Sequence, residues 1–404
     1  MGKTELGSVI CPAPWNHLCI NTGGKNRLCC NATTQGDKFI KDFDTHWNGE
    51  FRQEVKQSML DGEKHDACKI CWDREDKGIK SLREHMVEDM KNRDTWDEFA
   101  DNLDVDLKYP TQLDLKIGNY CNLSCRMCSS FSSSKYAAEF KKIYNDTGID
   151  YGVDEHEKNY VQSKWYDDDK FVEYVYKFID NGLTHLKFTG GEPLMVPNVK
   201  KILQYCIDSG KADSMYFNFI TNGTLFNESW MSIFEKFTHR LNISISIDGI
   251  GDTYEYIRYP TNWTDVRAKL AMFGTCDKPR FGDAVRIDLV FTLQIYNMLE
   301  TKNIVDLARD LGCYAVPITL DKPSYLDVKN APEQLKTDAI AMLDAIVTRG
   351  AEEERFVRDC KRKIMQEPDT PHQKLKEEFV MMSRLKDKYR NQSFDAIEVS
   401  KYYE

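Results

Sequence analysis

From residue 108 onward one pattern repeats: a short apolar stretch, a polar turn, an amphipathic run, then another apolar stretch. The apolar stretches are TQLDLKI (111–117), LTHLKFT (183–189), SMYFNFI (214–220), LNISISI (241–247), VRIDLVF (285–291) and YAVPITL (314–320). Each is a candidate strand. Between them lie runs such as DDKFVEYVYKFIDNG (168–182), with apolar residues at helical spacing and a glycine stop. Six strands alternating with helices specify βα units and a parallel sheet. Six are too few for a closed eight-fold barrel, which leaves an open six-strand barrel or a doubly wound sheet. In either, the ends where strands pass into helices form the functional rim.

The rest of the chain is organised around that core. Residues 1–78 read as a loop-rich module with a turn at NTGGKN and one helical run near FRQEVKQSML. Residues 79–107 read as a linking helix, 108–325 as the βα domain and 326–404 as a helical region interrupted at Pro368 and Pro371. Residues 130–168 form a long insert after the first strand, placed to cover the site or meet a partner. The composition, 41% hydrophobic and 30% charged over 404 residues, fits a soluble globular protein with a large core. No stretch approaches the roughly 20 apolar residues of a membrane span. The N-terminus lacks the basic-then-apolar layout of a signal peptide, so a cytoplasmic location is expected. A net charge of −10 argues against general nucleic-acid binding.

Thirteen cysteines are many for a chain in a reducing compartment, where clustered thiols serve as metal ligands or nucleophiles. Cys206, Cys276, Cys313 and Cys360 stand alone and read as packing residues. The other nine precede residue 129. Cys121, Cys125 and Cys128 lie in CNLSCRMC, directly after the first strand. Three thiolates on one loop can each bind one iron of a cubane and leave the fourth iron without a protein ligand; a zinc knuckle is the alternative.

This Cys-x3-Cys-x2-Cys spacing resembles the signature of the radical SAM superfamily. FTGGEPL (188–194) at the end of the second strand resembles the family's GGEP motif, FITNG (219–223) ends the third, and ISISIDG (243–249) the fourth. The resemblance covers about residues 108–320 and implies an α/β fold, a partial (β/α)6 TIM-like barrel. It implies that Cys121, Cys125 and Cys128 hold a [4Fe-4S] cluster whose open iron takes S-adenosylmethionine. Gly190, Gly191, Glu192 and Pro193 would lie along the amino group of that cofactor. Ser246 and Arg258 would hold its carboxylate and ribose, and Leu293, with Asn297, would meet its adenine. The implied activity is one-electron cleavage to a 5′-deoxyadenosyl radical that takes hydrogen from a substrate, fed by a flavodoxin- or ferredoxin-like donor.

Cys11, Cys29 and the pair Cys68-x2-Cys71 form a second constellation, with Gly24 five residues before Cys29. Four thiolates suit a zinc ribbon or a fully ligated iron–sulfur cluster equally. The pattern resembles the SPASM/twitch module of radical SAM enzymes, which implies a second, auxiliary [4Fe-4S] cluster on Cys11, Cys29, Cys68 and Cys71. Cys30 is an alternative to Cys29, and Cys19 reads as structural. Here the module precedes the βα domain, whereas in familiar members it follows. Trp15 and Trp72 read as packing around the thiols, His17 and His65 as exposed loop residues with a ligand role as the alternative, and Asp248 as a turn former with a general base as the alternative. Enzymes with this module mostly modify peptide or protein side chains, which is the expected substrate class. Sugar or nucleoside chemistry is the alternative, and a zinc-ribbon binding protein without catalysis is the reading from a different class.

Overall fold

A computed structural model describes residues 9–33, 40–149, 164–275 and 277–404. The chain divides into two compact units. The first comprises Met1–Gly118, Gln162–Gly190 and Val196–Asn218, and the second Asn119–Val161, Gly191–Met195 and Phe219–Glu404.

In the first unit, strands β1 (His17–Ile20), β2 (Asn26–Arg27), β3 (Gln112–Ile117), β4 (His185–Gly190) and the start of β5 (Tyr216–Thr221) lie in the order β2-β1-β3-β4-β5. β3 and β4 are parallel, Leu113 opposite Leu186 and Leu115 opposite Phe188, and all four of these side chains are buried. Apolar residues on successive turns bury one face of the helices Asp169–Asp180 and Pro197–Asp208. Asp168 caps the first by accepting from the Lys170 N–H, and Pro197 opens the second.

The amino-terminal segment contributes a strand that the sequence did not reveal. HLCI forms β1 and runs parallel to β3, His17 opposite Gln112. Four residues are too few to show an alternation. The expected helical run appears as Glu50–Leu60. The expected linking helix is two, Leu82–Asn92 and Trp96–Asp101, because Asp94 takes a left-handed turn with φ 56°. Ser81 and Glu84 form a capping box at the first.

In the second unit the remainder of β5 is followed by β6 (Arg240–Ser246), a small hairpin of β7 (Gly274–Thr275) and β8 (Lys278–Pro279), then β9 (Val285–Leu293) and β10 (Tyr314–Thr319). The order is β5-β6-β9-β10, with β6 parallel to β9 and β9 parallel to β10. All six expected strands are present, and the fold is α/β with mostly parallel pairing. The tail forms helices Glu333–Asp344, Ala351–Ile364 and His372–Arg390, broken between the last two where Pro368 and Pro371 stand. Within the expected insert lies the helix Ser134–Thr147; residues 150–163 fall outside the described residues. Among the described residues no helix is long and apolar enough to cross a membrane.

Candidate functional site

The loop Cys121–Cys128 is held by its backbone. The Ser124 N–H donates to the Tyr259 carbonyl at 2.6 Å and the Arg126 N–H to the Ile257 carbonyl at 2.9 Å. These bonds tie the loop to the end of the helix Gly251–Ile257, which carries Arg258 next in sequence. Leu123 is buried beneath it, and its N–H lies 3.5 Å from the Cys121 Sγ. Burial pushes the Cys121 thiol up to about 12, with Cys125 adding to the shift. Burial also raises Cys128, with Cys125 and Cys121 adding to it.

Polar groups from the strand exits surround them. Glu192 is fully buried, and its carboxylate accepts from Thr221 Oγ1 (2.7 Å), the Asn222 N–H (2.7 Å) and the Leu194 N–H (3.0 Å). Its side chain thus staples the GGEP turn to the end of β5. Asn222 Nδ2 reaches 3.9 Å from the Cys121 Sγ. Gly191 is required at its position, since a Cβ there would stand 2.3 Å from the Tyr120 carbonyl oxygen. Gly190 has φ 124° and presses against the backbone of Ile117 and Gly118. These glycines let one loop backbone approach another. Pro193 follows, buried in a short 3-10 turn.

Arg258 Nη2 pairs with Asp248 at 2.7 Å, and its Nη1 lies 3.9 Å from the Cys125 Sγ. Asp248 is no simple turn former: it is fully buried and also accepts from the Thr292 N–H at 2.7 Å. Arg258, expected with Ser246 to hold the cofactor's carboxylate and ribose, is thus paired with Asp248 on one side. Its Nε remains buried without a partner, as does the hydroxyl of Tyr254. Desolvation raises the Tyr254 phenol, which also feels Arg258 and Cys125. Each unmatched buried donor costs about 1–3 kcal/mol, so a bound group carrying acceptors fits beside Cys125.

The other expected contacts stand as follows. Leu293 is fully buried. Asn297 is consumed by the fold, its Nδ2 donating to the Asp248 and Thr292 carbonyls and its Oδ1 accepting from the Gln294 N–H. Ser246 ends β6, half-buried.

In the first unit, Cys11, Cys29, Cys68 and Cys71 line one cavity, together with Arg83. Cys29 rather than Cys30 faces it. Burial lifts the Cys29 thiol to about 11 and the Cys68 thiol to about 12. Trp15 and Trp72 belong to the apolar core around these thiols, as expected. His17 and His65 are not exposed loop residues. His17 opens β1 with its Nδ1 2.8 Å from the Leu28 carbonyl, and His65 accepts from the Ala67 N–H at 3.0 Å. Cys19, Cys206 and Cys360 are fully buried, Cys313 is half-buried, and Cys276 lies outside the described residues. Among the described residues no three His, Cys, Asp or Glu side chains converge on a site for a single metal ion. A cubane spreads its four ligands over four irons and needs no such convergence. Four thiols around a single cavity fit a cluster of that kind; the Arg83 guanidinium beside them is paired with Glu75.

Sequence reading passed over Arg126, between two of the three cysteines, and the helix that receives it. Arg126 is fully buried; Nε donates to the Tyr256 carbonyl at 2.8 Å, Nη2 pairs with Asp387, and the guanidinium carbon lies 3.5 Å from the Tyr256 ring centroid. A strong cation inside a cysteine loop was the available signal; its anionic partner 261 residues away had none.

Residues 115–274 match the model of the Radical SAM superfamily. The uncharacterized protein MJ0907 of Methanocaldococcus jannaschii is 31% identical over 138 residues, which is 34% of this chain and 38% of that protein. The match thus spans little more than a third of that curated relative. Among solved structures, native anSMEcpe with bound AdoMet and Cp18Cys peptide aligns at 16% identity over 57% of each chain, TM-score 0.37. Streptococcus suis SuiB bound to S-adenosylmethionine aligns at 16% identity over 75% of this chain and 62% of that one, TM-score 0.37.

Proposed function

We propose that this chain is a radical S-adenosylmethionine enzyme that acts on a peptide or protein side chain. The observation that carries the first part is the set of three thiols within eight residues of the loop after β3, with Arg258 Nη1 3.9 Å from the Cys125 Sγ and the Arg258 Nε buried without a partner, inside the segment that matches the superfamily. Cys121, Cys125 and Cys128 would hold three irons of a [4Fe-4S] cluster. When bound, cluster and S-adenosylmethionine supply reductive cleavage of the sulfonium and a 5′-deoxyadenosyl radical. Arg258 and Tyr254 offer their remaining donors to the bound cofactor. The GGEP turn, from Gly190 to Pro193, together with Ser246 and Leu293, forms its surroundings, and Glu192 keeps that turn in place.

The four thiols around the first-unit cavity support an auxiliary [4Fe-4S] cluster on Cys11, Cys29, Cys68 and Cys71. A flavodoxin- or ferredoxin-like protein is the proposed electron donor. The test is anaerobic loading with iron and sulfide, then dithionite and S-adenosylmethionine. We expect about eight irons per chain and formation of 5′-deoxyadenosine. Alanine at Cys121, Cys125 and Cys128 should remove about four irons and all cleavage; alanine at Cys68 and Cys71 should remove the other four or so and spare cleavage. Zinc without iron would overturn the reading.

A further inference from the structure

The carboxy-terminal helix His372–Arg390 reaches the cysteine loop with three charged side chains. Lys386 Nζ donates to the Arg126 carbonyl at 3.2 Å, Asp387 pairs with Arg126, and Arg390 Nη2 donates to the Ser124 carbonyl at 2.6 Å and the Ser124 hydroxyl at 3.1 Å. Lys386 and Arg390 are one helical turn apart and so share a face. The side chain of Arg390 is wholly buried. Glu139, on the helix Ser134–Thr147, accepts from its Nη2 at 2.8 Å and from its Nε at 3.1 Å. Its Nη1 is buried and has no partner.

From this geometry we infer that Arg390 is a positioning residue for the three-cysteine centre: it fixes the carbonyl immediately before Cys125 and holds a permanent positive charge against the cluster, easing its one-electron reduction. The inference rests on the reading that a [4Fe-4S] cluster sits there. A guanidinium stays charged even when buried. A fixed cation lowers the free energy of the state with the extra electron, and protein charge is one of the levers on cluster potential. Arg390 bonds the residue next to Cys125, and Arg258 Nη1 lies 3.9 Å from the Cys125 Sγ itself. Glu139 offsets part of the Arg390 charge but leaves Nη1 unused. The helix therefore belongs to the cluster site, though it begins 244 positions after Cys128 in the chain.

The test uses the loaded full chain and a redox titration followed by electron paramagnetic resonance, reading the reduced signal that changes when S-adenosylmethionine is added. Dithionite supplies the electron. At fixed potential, Arg390→Met should lower the ratio of reduced to oxidised cluster at least tenfold, about 59 mV for one electron. Arg390→Lys should stay within about threefold of the unaltered chain, and Glu139→Gln should raise the ratio, since it removes the opposing charge. An unchanged ratio in Arg390→Met overturns the inference, as does a fall in both Arg390→Met and Glu139→Gln. If Arg390→Met takes up no iron, Arg390→Lys and Glu139→Gln decide by the same criteria. If the unaltered chain shows no such signal, the radical SAM reading fails instead. The positional half is then read in the metal-free chain, where Arg390→Met should speed amide exchange at Ser124 and Arg126 at least tenfold; unchanged exchange overturns it.

Discussion

Glu192 shows how one residue can differ in role from its motif. Its motif was expected to lie along a cofactor; in the structure its carboxylate also accepts from three protein donors, Thr221 Oγ1 and the N–H groups of Asn222 and Leu194. Burial raises its pKa, and those three bonds pull it back down. Glu192→Ala leaves all three donors without an acceptor, and at about 1–3 kcal/mol for each buried unmatched group the expected loss is at least 3 kcal/mol of unfolding free energy. Glu192→Gln keeps two acceptor lone pairs and should lose roughly half as much. Urea unfolding of the metal-free protein checks both values, and equal losses would show that the charge, rather than the acceptor geometry, holds the turn. The sequence suggested the importance of this position through Gly190 and Gly191. It did not show that the side chain faces inward to β5 and Asn222.

At the scale of elements, the strands were legible because each places enough apolar residues in register to be recognised, and the cysteine loop because it leaves a strand directly. β1 was not, since HLCI is four residues long and is a strand only because β3 offers it a partner edge. The role of the last helix was hidden for the same reason: His372–Arg390 reads as an ordinary amphipathic helix, and the loop it meets is far away in sequence. One of its ties is the Arg126–Asp387 pair, with side-chain exposures of 0% and 9%. Removing one member of a buried pair leaves a lone charge and costs about 3–5 kcal/mol, whereas replacing both with apolar groups is often close to neutral. Arg126→Met and Asp387→Leu should each destabilise by about that amount, and the double substitution by clearly less than the sum. Additive losses in chemical denaturation would show that the two residues act independently and not as a pair.

Across the whole molecule, both thiol groups make the metal-free state sensitive to alkali. Unfolded cysteine titrates near 8.5, whereas Cys29 is raised to about 11 and Cys68 and Cys121 to about 12. Below about pH 8.5 both states are protonated and these groups contribute no pH dependence. Between that value and the folded one, only the unfolded state releases the proton, so stability falls as pH rises, by at most about 1.4 kcal/mol per unit for each thiol. The melting temperature of the metal-free chain should drop between pH 8 and 10, and serine at Cys29, Cys68 and Cys121 should flatten the drop. A melting temperature that ignores pH in both proteins would mean that the thiols are already hydrated. If these thiols hold clusters as proposed, loaded protein should lack this dependence, because thiolate ligands have already lost their protons.

The sequence by itself determined the strand and helix alternation, the α/β class, the loop carrying Cys121, Cys125 and Cys128, and the four cysteines that turn out to share a cavity. These are local patterns, written in periodicity and spacing over a few residues. Only the tertiary structure decided that Glu192 braces β5, that Arg258 is shared between Asp248 and Cys125, and that Arg126 and Ser124 are held by a helix from the far end of the chain. Buried charges pair with whatever the fold brings within a few ångströms, and no spacing rule in a single sequence encodes that meeting.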